Sequence, residues 1–449
     1  MEIQQVDVIV IGAGQGGAPL AEAYAREGKQ VVLFERDHVG GTCVNYGCLP
    51  SKAFLASAHA AADARNADRL GIHADVSVDF PRVMARARET TRSSRQSVRD
   101  RLVDAGVQVV EATAAFLNSN TVHGGIQVQA PVTVINTGKS PAIPPIPGLE
   151  AIDFLTYESF WTLDQLPART MVLGGGYVGV ELGQGIARLG SVTHIVERGP
   201  RIVGTEEEDV SRTLTEALEA DGIQIHLNTE VTGVSERDGV IHAALSDGRT
   251  LDVDALLVAT GRQPNVDDLD LPMAGIETGE RGHILVNQHF ATSNPLVYAI
   301  GDVTGQPAFT HVAWEDYRRL RAILAGDGRH RGDRVLAYVF FTEPQVGRVG
   351  LTAAQARERG HEIREATIPL THVARAGLTG HKRGFYRMVV DAQDDKILGA
   401  TLVGPQAGEV AQILLGHMEA GSTWQVVERT THVHPSYAEG LPTLARQFC

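Results

Sequence analysis

Two cysteines, Cys43 and Cys48, are separated by four residues within Gly-Gly-Thr-Cys-Val-Asn-Tyr-Gly-Cys-Leu-Pro-Ser-Lys, residues 40–52. The thiolate is the reactive form of cysteine, and a helix N-terminus or a nearby base lowers the pKa of a thiol. A helix is predicted over Leu49–Ala58, with Pro50 in its first turn and Lys52 one turn in, where its ammonium could stand near an electron-accepting ring. The pattern predicts a redox-active dithiol beside a bound cofactor.

Two other uses of the cysteine pair fit the sequence less well. A structural zinc site needs four ligands, but only Cys449 remains in the chain and no nearby histidine pair follows. A structural disulfide would close a very small loop and stabilise little. We therefore expect no metal site.

A base for the thiol is also needed, and His434 is the best candidate among 17 histidines. It precedes Pro435, and Glu439 follows five residues later. A carboxylate that holds an imidazole in one tautomer is a recurring acid–base arrangement. On spacing alone, a surface His–Glu pair is the more common explanation.

A dinucleotide-binding pattern stands just before the cysteines. It consists of strand Val6–Ile11, the turn Gly12-Ala-Gly14-Gln-Gly-Gly17, helix Ala18–Glu27 and strand Val31–Phe34 followed by Glu35. The glycines let backbone N–H groups approach a pyrophosphate at the helix N-terminus, and the acid is placed to accept from a ribose hydroxyl.

The same pattern occurs a second time. It comprises strand Met171–Leu173, the turn Gly174-Gly-Gly176-Tyr177-Val178-Gly179, helix Val180–Leu189 and strand Val192–Val196 followed by Glu197. Two copies imply two dinucleotides, so we expect an intermediary between two electron carriers.

The rest of the chain indicates how these patterns are organised. Four prolines in residues 141–148 form a stiff connector, and predicted strand Val297–Asp302 places the Asp302 carboxylate where such sheets bind ligands. From about Leu336 strands and helices cease to alternate, and Val335–Val349 is predicted to be sheet. We predict an α/β protein with two Rossmann-like dinucleotide-binding units and a C-terminal α+β unit. The boundaries are 1–145 and 263–334 for the first unit, 146–262 for the second and 335–449 for the last.

Charge and hydropathy exclude several classes of function. The net charge of −14 argues against a nucleic-acid partner, and the seven arginines of Arg82–Arg101 are interpreted as a solvated helix face. No apolar run reaches the roughly 18 residues that a membrane span needs, and no signal peptide is visible, so we expect a cytoplasmic protein. In a reducing compartment a close cysteine pair is more often catalytic or metal-binding than structural.

Taken together, these motifs resemble the FAD-dependent pyridine nucleotide–disulfide oxidoreductases over essentially the whole chain. The resemblance implies that Cys48 lies against the flavin, that Cys43 meets the substrate and that Lys52 pairs with Glu181. It also implies a homodimer with a shared active site, to which the partner subunit contributes the acid–base dyad corresponding to His434 and Glu439. The FAD-binding residues it implies are Gly12, Gly14, Gly17, Glu35, Arg36, Gly41, Thr42, Lys52, Thr137, Gly138, Gly301, Asp302, Val312 and Ala313. Those implied for NAD(P)H are Gly174, Gly176, Tyr177, Val178, Gly179, Glu197, Arg198 and Gly261.

Within this family two branches share features with the chain. His432–Pro435 and the segment at His311 resemble dihydrolipoamide dehydrogenases, whereas Phe309–Tyr317, Leu370–Gly377 and Glu439–Phe448 resemble mercuric reductases. True mercuric reductases carry a C-terminal cysteine pair, whereas this chain has the single Cys449 there.

We predict electron transfer from NAD(P)H through FAD and the dithiol to a small disulfide, a lipoyl group or a soft metal ion. NADH is favoured because Glu197 would repel a 2′-phosphate, although Arg198 and Arg201 could reach one. The alternatives are a dihydrolipoamide dehydrogenase and a flavin NAD(P)H oxidase that does not use the dithiol.

Overall fold

Two separate parts of the chain build the first dinucleotide-binding unit. The computed structural model of the protein describes residues 2–449, so Met1, at the start of the first predicted unit, lies outside the described residues. The strands before the proline-rich connector are β1 (Ile3–Gln5), β2 (Val8–Ile11), β3 (Val31–Glu35), β4 (Gln108–Glu111), β5 (Ala115–Phe116), β6 (Thr121–Gly124), β7 (Ile126–Gln129), β8 (Val132–Ile135) and β9 (Lys139–Pro141). The helices are α1 (Gly17–Arg26), α2 (Gly41–Asn45), α3 (Cys48–Arg65) and α4 (Phe80–Asp104).

The second unit follows the connector. Its strands are β10 (Arg169–Leu173), β11 (Val192–Val196), β12 (Gln224–His226), β13 (Val231–Arg237), β14 (Val240–Leu245), β15 (Thr250–Val253) and β16 (Ala255–Val258), and its helices are α5 (Tyr177–Leu189) and α6 (Glu208–Ala220). Four strands form a parallel sheet in the order β12-β11-β10-β16, and β13, β14 and β15 form an antiparallel sheet beside it.

The chain then returns to the first unit through β17 (Arg262–Pro264), β18 (Val297–Ala299) and α7 (Thr310–Leu324). β17 pairs with β9 in an antiparallel ribbon, so the outgoing and returning crossings lie side by side. β18 completes a five-stranded parallel sheet in the order β18-β8-β2-β3-β4. β2 is central and all four of its residues are buried, which explains its unbroken run of Val and Ile.

The last unit differs from the first two in its architecture. Its strands are β19 (Ala337–Phe340), β20 (Gln345–Gly350), β21 (Ile363–Pro369), β22 (Phe385–Asp391) and β23 (Ile397–Gly404), and its helices are α8 (Ala353–Glu358), α9 (Ala374–Thr379), α10 (Ala407–Glu419), α11 (Trp424–Arg429) and α12 (Gly440–Ala445). The strands form one antiparallel sheet in the order β19-β20-β23-β22-β21. This confirms the predicted α+β unit, and the two parallel sheets confirm the predicted Rossmann-like units. The domain boundaries themselves stay predictions.

Three local predictions need correction. The helix after the cysteines is longer than predicted, because it begins at Cys48 itself and continues to Arg65. The strand predicted over Val297–Asp302 ends at Ala299, and a single 3-10 turn follows from Gly301. The sheet segment predicted over Val335–Val349 is two strands, which an irregular segment over residues 341–344 separates.

The arginine-rich run lies on helix α4, as predicted, and several of its side chains pair with acids. Arg88 contacts Asp164, and Arg99 contacts Glu111. The run is therefore a solvated, largely paired helix face. No helix within residues 2–449 has both the length and the apolar character needed to cross a membrane.

Candidate active site

A cavity of about 1150 Å³ opens at the carboxyl ends of β2, β3 and β8. The predicted site residues in its wall are Gly12, Gly14, Glu35, Arg36, Gly41, Thr42, Cys43, Cys48, Lys52, Thr137, Gly138, Tyr177, Val178, Glu181, Asp302, Val312 and Ala313. The predicted residues that do not line it are Gly17, Gly174, Gly176, Gly179, Glu197, Arg198, Gly261, Gly301, His434 and Glu439. The fold thus brings the cysteines, the first dinucleotide-binding turn and the start of α5 to one space.

The first turn is shaped for a close approach of backbone to a ligand. Gly12 has a φ of +99°, and a Cβ at this position would lie 2.4 Å from the carbonyl oxygen of Asn136. The Asn136 side chain accepts from the Gly17 amide at 2.8 Å and donates to the Ile300 carbonyl at 3.0 Å. One buried side chain therefore ties the start of α1 to the end of β18. The backbone N–H groups at the start of α1 fit a pyrophosphate, as FAD would present.

Two acids stand at the ends of strands in this cavity. Glu35 accepts from the Ala13 amide at 2.8 Å and from the Asp37 amide at 3.0 Å, and burial raises the pKa of this carboxyl group. Asp302 pairs with Arg262 at 3.3 Å, and burial likewise raises the pKa of Asp302. Carboxylates at these strand ends fit ribose or polyol hydroxyls. That each binds FAD stays a prediction.

The two cysteines lie on separate helices that meet at the cavity wall. Cys43 belongs to α2 and Cys48 is the first residue of α3, and both side chains are free thiols that hydrogen-bond to each other. The sulfur of Cys48 also lies 3.0 Å from the hydroxyl of Thr310, at the first position of α7.

The contacts of the two thiols shift their pKa values in opposite directions. The hydrogen bond from Cys43 lowers the pKa of Cys48 to about 6 against the effect of burial, and Thr310 and the charge of Lys52 lower it further. The same hydrogen bond, together with burial, raises the pKa of Cys43. Cys48 is therefore the thiolate of the pair, and Cys43 carries the proton. That Cys48 lies against the flavin and that Cys43 meets the substrate stay predictions.

The predicted ion pair joins the first two units. Nζ of Lys52 on α3 lies 2.8 Å from Oε2 of Glu181 on α5, and the Glu181 side chain is buried. Lys52 stands one turn after Cys48 on the same helix. A cation and a buried carboxylate therefore lie beside the thiolate in the cavity wall. Their placement next to the flavin stays a prediction.

The second dinucleotide-binding turn is held by hydrogen bonds to Glu197. Glu197 accepts from the Gly175 and Gly199 amides, each at 2.7 Å, so its carboxylate is fixed at the end of β11. Tyr177, the first residue of α5, reaches the main cavity, where its ring stacks on Phe340 at a centroid distance of 5.8 Å. The start of α5 is the part of the second unit that meets the cysteine-bearing cavity.

The predicted dyad forms a contact away from the cysteines. Nδ1 of His434 lies 2.7 Å from Oε2 of Glu439, and the His434 side chain is 75% exposed. Neither residue lines the cavity that holds Cys43. The structure therefore does not bring the dyad to the dithiol within one chain, and its contribution from the partner subunit stays a prediction.

One group of potential metal ligands occurs within residues 2–449. Asp63, Glu343 and His381 place their ligand atoms within 4.8 Å of one another. Arg69 lies 2.7 Å from Nε2 of His381 and 3.1 Å from Asp63, and Arg188 pairs with Glu343. Because guanidinium groups engage these ligand atoms, we interpret the group as an ion-pair network that joins the first, second and last units. The absence of a resident metal stays a prediction.

Sequence reasoning missed many residues of the cavity wall, and four of them make contacts that shape the site, namely Asn136, Arg262, Thr310 and Phe341. Asn136 and Arg262 each adjoin a Thr-Gly pair in the sequence, Thr137-Gly138 and Thr260-Gly261, and this repeated pair could have drawn attention to them. Thr310 lies in the segment Phe309–Tyr317, whose resemblance to mercuric reductases could have drawn attention to it. Phe341 carries no local signal, because its contacts are with residues far away along the chain.

Comparison with known proteins agrees with this geometry. Residues 6–316 match the model of the family described as pyridine nucleotide-disulphide oxidoreductase, and residues 336–445 match its dimerisation domain. A mercuric reductase of Bacillus cereus is 35% identical over 98% of this chain and 71% of its own length. A dihydrolipoyl dehydrogenase of Haloferax volcanii is also 35% identical, over 97% of this chain and 94% of its own length.

A solved structure shows the same fold. The structure described as the Cu(II) complex of the HOCl-induced flavoprotein disulfide reductase RclA from Escherichia coli has a TM-score of 0.90 and 31% identity, and covers 99% of this chain and 100% of that one. The dimerisation domain supports a homodimer. The chain thus belongs to the pyridine nucleotide–disulphide oxidoreductase family and is an FAD-dependent enzyme that uses NAD(P)H.

Proposed function

We propose that this enzyme transfers electrons from NADH to the Cys43–Cys48 pair and from there to a small disulfide or a soft metal ion, in the manner of a mercuric reductase. The observation that supports this most directly is the Cys48 sulfur in the cavity wall, hydrogen-bonded to Cys43 and Thr310. FAD, when bound beside Cys48 and the Lys52–Glu181 pair, supplies hydride acceptance from the nicotinamide and two-electron reduction of a disulfide.

The cysteines carry the exchange with a disulfide substrate. Two-electron reduction of the Cys43–Cys48 disulfide leaves a thiolate on Cys48 and a thiol on Cys43. Cys43 loses its proton to His434 of the partner subunit and attacks one substrate sulfur, forming a mixed disulfide. The leaving thiolate takes that proton back. Cys48 then attacks Cys43, which restores the internal disulfide and releases the second substrate thiolate.

A soft metal ion would use the same two sulfurs differently. Thiolates prefer soft ions such as Hg(II) and copper, and both sulfurs reach one wall of the cavity. Cys43 and Cys48 would then supply two ligands. The relatives named mercuric reductase and the Cu(II) complex of RclA support this candidate.

The proposed preference for NADH over NADPH is inferred from Glu197, which follows β11. The Glu197 carboxylate is fixed there by two backbone amides, and a carboxylate in this position repels a 2′-phosphate. Arg201 donates to the carbonyl groups of Gly204 and Glu206, so its guanidinium is held by its own loop. A higher kcat/KM with NADPH than with NADH would contradict this preference.

Anaerobic titration of the purified holoenzyme with NADH tests the proposal. We expect a long-wavelength absorption band from the Cys48 thiolate beside the flavin, which Cys48→Ser abolishes. Cys449 is an exposed cysteine, so Cys449→Ser is the matched control and should leave the band unchanged. If Cys48→Ser leaves both the band and reductase turnover intact, the dithiol has no part in the reaction.

The acceptor requires a direct comparison of substrates. Oxidised lipoamide, glutathione disulfide, Hg(II) and Cu(II) should be offered to the wild-type enzyme and to Cys43→Ser. We expect turnover with a disulfide or a soft metal ion that depends on Cys43. Preferential NADH formation from dihydrolipoamide would favour the dihydrolipoamide dehydrogenase alternative, and oxygen consumption unaffected by Cys43→Ser would favour the oxidase.

A further inference from the structure

A short segment of the C-terminal unit enters the cofactor cavity. Residues 341–344 connect β19 to β20, and the Phe341 side chain lines the cavity beside Lys52 and Glu181. The first unit supplies Lys52 and the second supplies Glu181, so three units of the fold meet at this point.

Phe341 contacts both members of the ion pair. Its backbone amide donates to Oε1 of Glu181 at 2.8 Å, which leaves Oε2 for Lys52. The Lys52 ammonium lies 4.5 Å from the centroid of the Phe341 ring. A cation over an aromatic face is attracted by the ring quadrupole, more strongly where water is excluded. The amide therefore orients the carboxylate, and the ring restrains the ammonium.

The segment is itself held firmly by the two helices that carry the pair. Gln184, one turn after Glu181 on α5, is fully buried and bonds both backbone groups of Glu343, accepting from its amide at 2.8 Å and donating to its carbonyl at 2.9 Å. Nε2 of His59 on α3 lies 3.3 Å from the carbonyl oxygen of Phe341. The backbone of Phe341 is thus fixed by hydrogen bonds to both helices.

We propose that Phe341 is a positioning residue that fixes the Lys52–Glu181 pair, so that the C-terminal unit tunes the electron affinity of the bound flavin. A lysine side chain that is not restrained samples many rotamers, which would spread its charge over a larger volume. The proposal rests on the proposed function, in which this pair stands beside the flavin.

The test is the midpoint potential of the FAD bound to the holoenzyme, together with the rate of its anaerobic reduction by NADH. Phe341→Leu removes the ring but keeps an apolar side chain. A fixed cation stabilises the more negatively charged reduced flavin. We therefore expect Phe341→Leu to lower the midpoint potential of FAD and to slow the reduction of FAD by NADH about fivefold. Phe341→Tyr keeps the ring and should keep the midpoint potential and the reduction rate at their wild-type values. Phe341→Met provides the same test if Phe341→Leu does not fold.

Phe385→Leu is the control for packing alone. It makes the same truncation at a buried position of the C-terminal unit, so it should lower the Tm and leave the potential unchanged. An equal change of potential in Phe385→Leu and Phe341→Leu would overturn the inference.

Lys52→Met separates the inference from the proposed function. If Lys52→Met leaves the potential unchanged, the lysine does not act on the flavin and that part of the proposed function fails. If Lys52→Met lowers the potential whereas Phe341→Leu does not, the pair acts on the flavin without Phe341 and only the present inference fails.

Discussion

The sulfur of Cys48 lies 3.0 Å from the hydroxyl of Thr310, and each residue is the first of its helix. The N-termini of α3 and α7 therefore converge on one sulfur. The amide groups at a helix N-terminus carry partial positive charge and stabilise an anion in the first turn. Two helices from distant parts of the chain thus favour the Cys48 thiolate, in addition to the proton that Cys43 shares with it.

Thr310→Val tests the contribution of the hydroxyl. A hydrogen bond to a charged group contributes about 1.5–3 kcal/mol, and sulfur is a weak acceptor, so we expect the pKa of Cys48 to rise by about one unit. The wild-type thiolate is present above a pH of about 6 and is lost as the pH falls through that value. In Thr310→Val the loss should occur at a higher pH. The measurement is a pH titration of the long-wavelength absorption of the reduced holoenzyme.

Thr310→Ser is the matched control, because it keeps the hydroxyl and should keep the wild-type titration. An unchanged titration in Thr310→Val would mean that the helix termini and Cys43 account for the low pKa without Thr310.

The catalytic motifs could be predicted because each is local in sequence. The cysteine pair, Lys52 and the two glycine-rich turns have fixed spacings along one stretch of chain, and the chemistry follows from those spacings. The parallel sheets could be predicted for the same reason, since a buried strand such as β2 is a continuous apolar run.

The remaining part of the site depends on contacts between distant segments. Thr310 is 262 residues from Cys48, and Asn136 is 119 residues from the Gly17 amide that it binds. Threonine and asparagine are common residues without a distinctive spacing at these positions. Phe341 could not be found either, because the break between β19 and β20 was predicted as continuous sheet. Long-range packing, rather than local propensity, places these side chains.

Asn136→Ala should weaken both the fold and the cofactor site. It leaves the Gly17 amide and the Ile300 carbonyl without their partner, and each buried unpaired group costs about 1–3 kcal/mol. We expect a Tm lowered by several degrees and faster release of FAD on dilution, measured by flavin fluorescence. Asn66→Ala, which removes a side-chain bond at the exposed end of α3, should change neither. Unaltered FAD retention in Asn136→Ala would show that this tie does not hold the turn.

Arg348→Met should destabilise the contact between the second unit and the C-terminal unit. Arg348 lies 2.7 Å from Glu206, and the two side chains are only 2% and 1% exposed. Removal of one partner of a buried pair leaves an uncompensated charge, which costs about 3–5 kcal/mol. Thermal unfolding should therefore occur at a clearly lower temperature.

The second change Glu206→Gln tests the cause of that loss. It removes the unpaired charge, so Arg348→Met combined with Glu206→Gln should regain part of the stability. Arg212→Met, in an exposed pair at 3.6 Å, should have almost no effect. If the double variant is less stable than Arg348→Met, the loss comes from packing and not from the buried charge.

His434→Ala should slow disulfide turnover by about 10²–10⁴-fold, because general acid–base catalysis contributes that much, and should leave the reduction of FAD by NADH unchanged. Stopped-flow measurement of each half-reaction distinguishes the two effects. The heterodimer of a His434→Ala chain with a Cys43→Ser chain then tests whether the site is shared. If each dithiol uses the dyad of the other subunit, one of the two sites has both groups intact, and the heterodimer should recover about half of the wild-type turnover. If the dyad serves the dithiol of its own chain, neither site is complete, and turnover should stay at the level of the inactive homodimers.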